Sequence, residues 1–396
     1  MENKIFDFDH VPDRRGTNSY KWDLPEIKDA IPMWVADMDF KTAPCIIEAL
    51  KKRVEHGVFG YTFVPDSYYE ATVNWFSRRH GLSLKPEWIL YTSGVIPALS
   101  AVIKALTKPG DKVIVQTPVY NHFFSSIRNN ECIVTENPLI QRNGSYEMDF
   151  EDLEEKASDP DVKLLLLCNP HNPAGRVWSS SELKKLGDIC ARNNVIVVSD
   201  EIHNEIVFPP YKYVPYGAVS DDFRANSVTC CSPTKSFNIA GLQIANIFCE
   251  NAEMREAINK ALNVNEVCDV NPFGVIALIE AYTNGEGWLN ELIEYIYKNY
   301  RYVRETFESQ LPEMPVMRLE GTYLAWVDCS VLEMPSTEIM SEILEHAKVK
   351  VNDSEMYGAP NGEFIRLNLA APFELIKEGT DRIIATLKYL LNKRLD

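Results

Sequence analysis

Between residues 88 and 250, short apolar runs alternate with amphipathic ones. Strands are predicted over WILYTSG (88–94), KVIVQTPVY (112–120), ECIVTENP (131–138), VKLLLLCNP (162–170), VIVVSDEI (195–202), SVTCCSP (227–233) and LQIANIFCE (242–250). Helical patterns such as PALSAVIKALTK and SSELKKLGDICARNN separate several of them. Runs such as KLLLL and VIVV have no polar face. Their strands are therefore buried on both sides, the condition of a mostly parallel sheet covered by helices. Alternating β and α elements of this kind predict an α/β, doubly wound fold.

The texture changes beyond about residue 285. WLNELIEYIYKNYRYVRETFESQ reads as one long helix, followed by strand-like GTYLAWVDC, helical STEIMSEILEHAK, strand-like EFIRLNLA and a last helix, DRIIATLKYLLNK. That order is α+β. A chain of 396 residues exceeds the size at which one core stops growing. The predicted division is a large domain over 47–285 and a smaller one over 286–396. The Pro-rich segment 1–46 is grouped with the smaller domain and packs across both.

Composition narrows the partners. The net charge is −17 and no block of Lys and Arg is present, so nucleic acid is excluded as a ligand. The nine cysteines show no C-x-x-C spacing, and several end apolar runs, as in LLLLC and ANIFC. They read as reduced, buried thiols of a cytoplasmic protein. The seven histidines lack ligand spacing, so no metal is expected. The first residues, MENKIFDFDHVPDRRG, have no apolar core of a leader, and no apolar stretch approaches the ~20 residues of a membrane span.

Ligands of open α/β sheets bind beyond the carboxyl ends of the strands. Five such ends carry unusual polar residues: Ser93-Gly94, TPVYN (117–121), NPHNPAG (169–175), SDEIH (199–203) and SPTK (232–235). Each alone has an ordinary explanation. A Gly turn connects, Asn172 before Pro173 shapes a turn, Tyr120 fills core and His203 sits in a loop. Asp200 is harder to dismiss, because a carboxylate ending so apolar a run needs a partner. SPTK also matches S-x-x-K, a serine-nucleophile motif, but the K-[ST]-G element of such hydrolases is missing. Walker A, G-x-G-x-x-G and G-x-S-x-G motifs are absent too. A lysine, a carboxylate 35 residues earlier and a helix N-terminus fit pyridoxal phosphate. The amine forms a Schiff base with the aldehyde, and the carboxylate keeps the pyridine nitrogen protonated so that the ring accepts electrons.

The ordered set SG…TPVY…NPHNPAG…SDEIH…SPTKSFNIAGL resembles the fold-type I pyridoxal-phosphate enzymes of the class I and II aminotransferase superfamily, over essentially the whole chain. IPMWVADMDF (31–40) and the histidine of SDEIH resemble its cystalysin and cystathionine β-lyase (MalY/PatB-type) carbon–sulfur lyases. The resemblance implies that Lys235 binds the cofactor and moves the substrate's α-proton. It implies that Asp200 meets the pyridine nitrogen, Asn172 and His203 the phenolic side, and Tyr120 the ring face. Gly94, Val95, Ile96 and Ser232 cradle the phosphate, and Tyr61 reaches the phosphate of a neighbouring subunit in a homodimer. Arg366 clamps the carboxylate of a small amino-acid substrate, aided by the backbone at Val35 and Ala36. One departure is Gln243, where many aminotransferases have an arginine facing the phosphate. The same departure favours the lyases. The implied activity is α,β-elimination from sulfur amino acids, with an aminotransferase and a regulatory pyridoxal-phosphate protein as alternatives.

Overall fold

All seven strands predicted between residues 88 and 250 enter one sheet. They are β1 (Ile89–Thr92), β2 (Lys112–Val115), β3 (Ile133–Glu136), β4 (Val162–Cys168), β5 (Ile196–Asp200), β6 (Ser227–Cys231) and β7 (Ala245–Phe248). Their spatial order is β1-β7-β6-β5-β4-β2-β3. β7 runs antiparallel to both neighbours, and the remaining pairings are parallel. This computed structural model describes residues 6–265, 269–359 and 362–395.

The leucine run of β4 shows why the pattern was apolar throughout. Leu164, Leu165, Leu166 and Leu167 are all buried. Leu165 and Leu167 join one core cluster while Leu164 and Leu166 join another, as period-two alternation requires when both sheet faces are covered. One face is covered by α1 (Val95–Leu106) and α2 (Asn121–Asn129), which contribute Leu99, Val102, Phe123 and Ile127. The other is covered by α3 (Ser180–Arg192), through Leu183, Leu186 and Ile189. A capping box of Ser179 and Glu182 starts α3, satisfying N–H groups that its first turn leaves unpaired.

Two predicted strands end sooner or begin later than their apolar runs. β2 stops at Val115 because Val119 N–H is drawn to the carbonyl of Tyr357. β7 starts at Ala245 because Ala240–Leu242 forms a 3-10 turn and Gln243 adopts a left-handed backbone, φ 54°. Both differences lengthen the loops at the edge where the polar residues gather.

The C-terminal part contains α4 (Glu286–Gln310), β8 (Leu324–Asp328), β9 (Asn352–Asp353), β10 (Phe364–Asn368) and α5 (Phe373–Leu395). Its three strands are antiparallel in the order β8-β10-β9, and Trp326 lies opposite Arg366. The N-terminal segment ties this part to the large sheet. Ile31–Pro32 pairs with Val349–Lys350, Asp39 N–H donates to Ala370 O (2.8 Å), and Asn238 Nδ2 donates to Met38 O (2.9 Å) and Phe40 O (2.8 Å). Among the described residues, no helix is long and apolar enough to cross a membrane.

Since Leu166 packs on all sides within a sheet that cannot collapse, Leu166→Ala is expected to cost ~2–5 kcal/mol. Denaturant unfolding of the variant beside the parent protein measures this. A loss below about 1 kcal/mol would mean that β4 is not the packed centre described here.

Candidate active site

β1, β6, β5, β4 and β2 all point their carboxyl ends to the same edge, and the loops that follow enclose a cavity of about 200 Å³. Its wall contains Gly94, Val95, Ile96, Tyr120, Asn172, Asp200, His203 and Lys235, which the sequence singled out from five separate loops, and Ala36 from the N-terminal segment.

Asp200 is the last residue of β5, buried, with Oδ1 accepting from Ile202 N–H (3.1 Å). Burial is the main cause that pushes its carboxyl up to about 7; neighbouring Glu201 adds to the rise, while Ile202 N–H and Lys235 oppose it. No ion pair neutralises it among the described residues. Lys235 follows the turn after β6, and its Nζ donates to Ala36 O. Burial brings that amine down to about 8, with Arg366 acting the same way and Asp37 and Asp200 opposing. The site therefore holds an amine that deprotonates near neutrality and a carboxylate that lacks a cation.

His203 is buried and its Nδ1 has no hydrogen-bond partner. Desolvation lowers it to about 3, so the ring is neutral and one nitrogen remains available to a ligand. Its edge packs on Tyr323 at 5.7 Å between ring centres. Tyr120, the residue before α2, is pushed up to about 12 chiefly by burial and stays a neutral phenol. At the other end of the cavity, α1 begins at Val95 after Gly94, and no side chain caps it. Its free N–H groups and the helix dipole make an anion site.

Arg366, from the middle of β10, is buried against this cavity without lining it. Nη1 donates to Asn172 Oδ1 (3.1 Å), Nη2 donates to Trp34 O (2.8 Å), and Nε has no partner. No carboxylate pairs with it among the described residues. A guanidinium so placed is ready for an incoming carboxylate.

Some expected residues lie elsewhere. Ser232 does not line the cavity: its buried hydroxyl needs an acceptor and donates to Ile244 O (2.5 Å), while its oxygen accepts from Thr234 N–H (3.0 Å) and lies 2.8 Å from Thr234 Oγ1. Besides Lys235, Thr234 is the residue of SPTK that reaches the wall. Val35 contributes its carbonyl to Asn368 Nδ2 and lies behind the wall. Tyr61 is 95% exposed and outside the cavity of its own chain. Gln243 faces a second cavity, of about 680 Å³, which shares Ser93 and Pro97 with the first. Cys168, Ile202 and Tyr323 were not singled out from the sequence for this site. Cys168 and Ile202 end or follow apolar runs that read as core, and only their places at strand ends marked them; Tyr323 sits inside a strand-like run and carries no such signal.

The family Aminotransferase class I and II matches residues 28–383. The chain belongs to that family. It is 43% identical to cystathionine beta-lyase PatB of Bacillus subtilis, across 96% of this chain and 99% of that one. It is 33% identical to protein MalY of Escherichia coli, across 97% and 99%. The structure of cystalysin from Treponema denticola, which contains a pyridoxal 5′-phosphate cofactor, superposes with a TM-score of 0.95 at 35% identity, covering 98% of this chain and all of that one.

Asp200 supplies a test that needs no ligand. Its folded value lies above the ordinary one, so folding favours the protonated carboxyl, and stability is lost as pH rises from about 4 through about 7. Cofactor-free Asp200→Asn protein is therefore expected to be more stable than the parent at pH ~8, by ~2–4 kcal/mol, and equal to it at pH ~4. Thermal unfolding at the two pH values checks this, and equal stability at both would remove the strained carboxylate from the account.

Proposed function

We propose that the chain is a pyridoxal-phosphate-dependent carbon–sulfur β-lyase acting on L-cystathionine- or L-cysteine-type substrates. The products are a thiol or sulfide, pyruvate and ammonia. One observation carries the reading: Lys235 and the uncompensated Asp200 face one cavity in a chain that aligns end to end with cystathionine β-lyases.

The residues fit the cofactor. Asp200 has no cation beside it among the described residues and suits a protonated pyridine nitrogen, His203 Nδ1 is buried without a partner, and the α1 N-terminus presents uncapped N–H groups suited to a phosphate. When bound, pyridoxal phosphate supplies an aldehyde for an amine and a ring that accepts the electrons released at the substrate's α-carbon. Val95, Ile96 and Thr234 bind its phosphate, with Gln243 adding no charge there. Asn172 and His203 address the phenolic side, and Tyr120 packs on the ring.

Arg366 exchanges Trp34 O for the substrate carboxylate, while Ala36 and Val35 form the backbone beside it. This holds the α-carbon near Lys235. Once free of its covalent partner, the amine takes the α-proton, a task suited to a base that deprotonates near pH 8. The Cβ–S bond then breaks, the electron pair leaves with sulfur, and sulfur takes up a proton. Water completes the release of pyruvate and ammonia.

In this reading residues 47–285 form the unit that holds the cofactor. Residues 1–46 with 286–396 form the unit that supplies Arg366. The working form is a homodimer. Val54, Val58, Phe59, Tyr61 and Phe63 are all more than half exposed, an apolar stretch that a second copy would cover. Tyr61 would then reach the partner's phosphate site through the larger cavity. The eight described cysteines are all free thiols, in keeping with a place in the cytoplasm.

With L-cystathionine as sole substrate and no keto acid, the purified enzyme is expected to release pyruvate and free thiol continuously. Turnover that appears only on adding a keto acid would replace this reading with the aminotransferase. In the same preparation Tyr61→Ala should still sediment as a dimer but shed cofactor on dialysis; a monomeric parent protein would dismiss the shared site.

A further inference from the structure

Residues 34–37 present four successive carbonyls to donors of the site. Trp34 O accepts from Arg366 Nη2 (2.8 Å), and Val35 O accepts from Asn368 Nδ2. Ala36 O accepts from Lys235 Nζ and from Tyr323 OH (3.0 Å). Asp37 O accepts from Asn368 Nδ2 (2.6 Å) and Lys21 Nζ (3.2 Å). This irregular strand of backbone is the wall against which the cofactor-binding amine rests.

Behind it lies a quartet of charges. Asp39 is buried and accepts from Arg14 Nη1 (2.7 Å), Lys21 Nζ (2.7 Å) and Trp22 Nε1 (2.8 Å). Asp37 takes Arg14 through both oxygens, at 2.6 and 3.1 Å, and stands 3.4 Å from Lys21 Nζ. Two cations and two anions cancel. Apolar side chains fill such a space at less desolvation cost, so packing alone does not account for the quartet. A cluster of this kind can fix a backbone and hold a charge where an apolar cluster cannot.

The charge matters because of what surrounds Lys235. Asp200 and His203 face it from the end of β5, Arg366 from β10, Lys21 from the N-terminal segment, and the phenols of Tyr120 and Tyr323 complete the surroundings. Asp200 is protonated more readily than an ordinary carboxyl, and His203 is neutral. Burial raises Asp37, but Arg14 and Lys21 outweigh it and hold the group below the usual carboxylate range. Asp37 thus keeps its charge throughout the range in which the amine titrates, whereas Asp200 changes charge close to it.

We propose that Asp37, held by Arg14 and Lys21 with Asp39, is a positioning residue for Lys235, fixing the Ala36 carbonyl against the ε-amine and keeping a permanent negative charge beside it. The proposal rests on Lys235 being the cofactor anchor.

The test is a pH titration of the visible absorbance of the holoenzyme, which follows the proton on the lysine–cofactor link. Asp37→Asn is expected to lower the midpoint by ~0.5–1 unit, because the protonated form loses a nearby negative charge. Asp37→Glu should return it toward the parent value. Arg14→Gln removes a positive charge from the same quartet and should raise the midpoint. Opposite shifts from two disruptions of one cluster are not what loosened packing produces. Midpoints that stay put, or move in the same direction in both variants, overturn the proposal. Should Asp37→Asn not fold, Arg14→Gln decides alone: a rise supports the proposal and an unchanged midpoint rejects it. A parent enzyme with no visible band would instead reject Lys235 as the anchor.

Discussion

Asp200 ends β5 with its carboxylate out of water and a single backbone N–H to offset the burial. Everything else at the sheet edge is arranged around that imbalance. A buried carboxylate without a cation is unfavourable, and the fold tolerates it because β4, β5 and β6 are held on both faces by cores that do not depend on it. The strands force the carboxylate into place, and a cationic ring nitrogen can relieve it. In the proposed function, stability is surrendered at this residue so that a cofactor's electronics can be set there.

The opposite wall is made by chain with no regular structure. Residues 34–37 are clamped from the C-terminal sheet by Arg366 and Asn368, and from the N-terminus by Arg14 and Lys21. The same stretch accepts the amine of Lys235. Substrate binding and the lysine are therefore connected through one short backbone. A carboxylate that draws Arg366 away from Trp34 O frees the neighbour of the carbonyl on which Lys235 rests. Arg366 and Lys235, the proposed substrate anchor and proton-moving group, thus share one hydrogen-bonded unit.

Much of this was legible in the amino-acid order. Strands buried on both faces announce themselves by unbroken apolar runs, so all seven strands of the large sheet were found, and their ends marked the loops that converge. Lys235 was not marked by its own surroundings, since S-x-x-K suggested a different chemistry; Asp200, Asn172, Tyr120 and the Ser93-Gly94 turn pointed to it as the cofactor lysine. What stayed hidden was direction and distance. Ser232 and Thr234 are chemically alike in sequence, and only the nearness of Ile244 O, just ahead of antiparallel β7, turns the serine away from the cavity. Asp37 and Asp39 meet Arg14 and Lys21 across an aperiodic stretch, where no repeat signals which residues will touch. Tyr323 reads as strand filler until Ala36 O is found beside its hydroxyl.

The account stands on Lys235 being the covalent anchor of the cofactor. Borohydride reduction of the holoenzyme, followed by proteolysis and mass spectrometry, measures this directly. The account predicts one pyridoxyl-phosphate adduct per chain, on the peptide containing SPTKSFN and on its lysine. An adduct on any other lysine, or full cofactor content with no adduct at all, would contradict it.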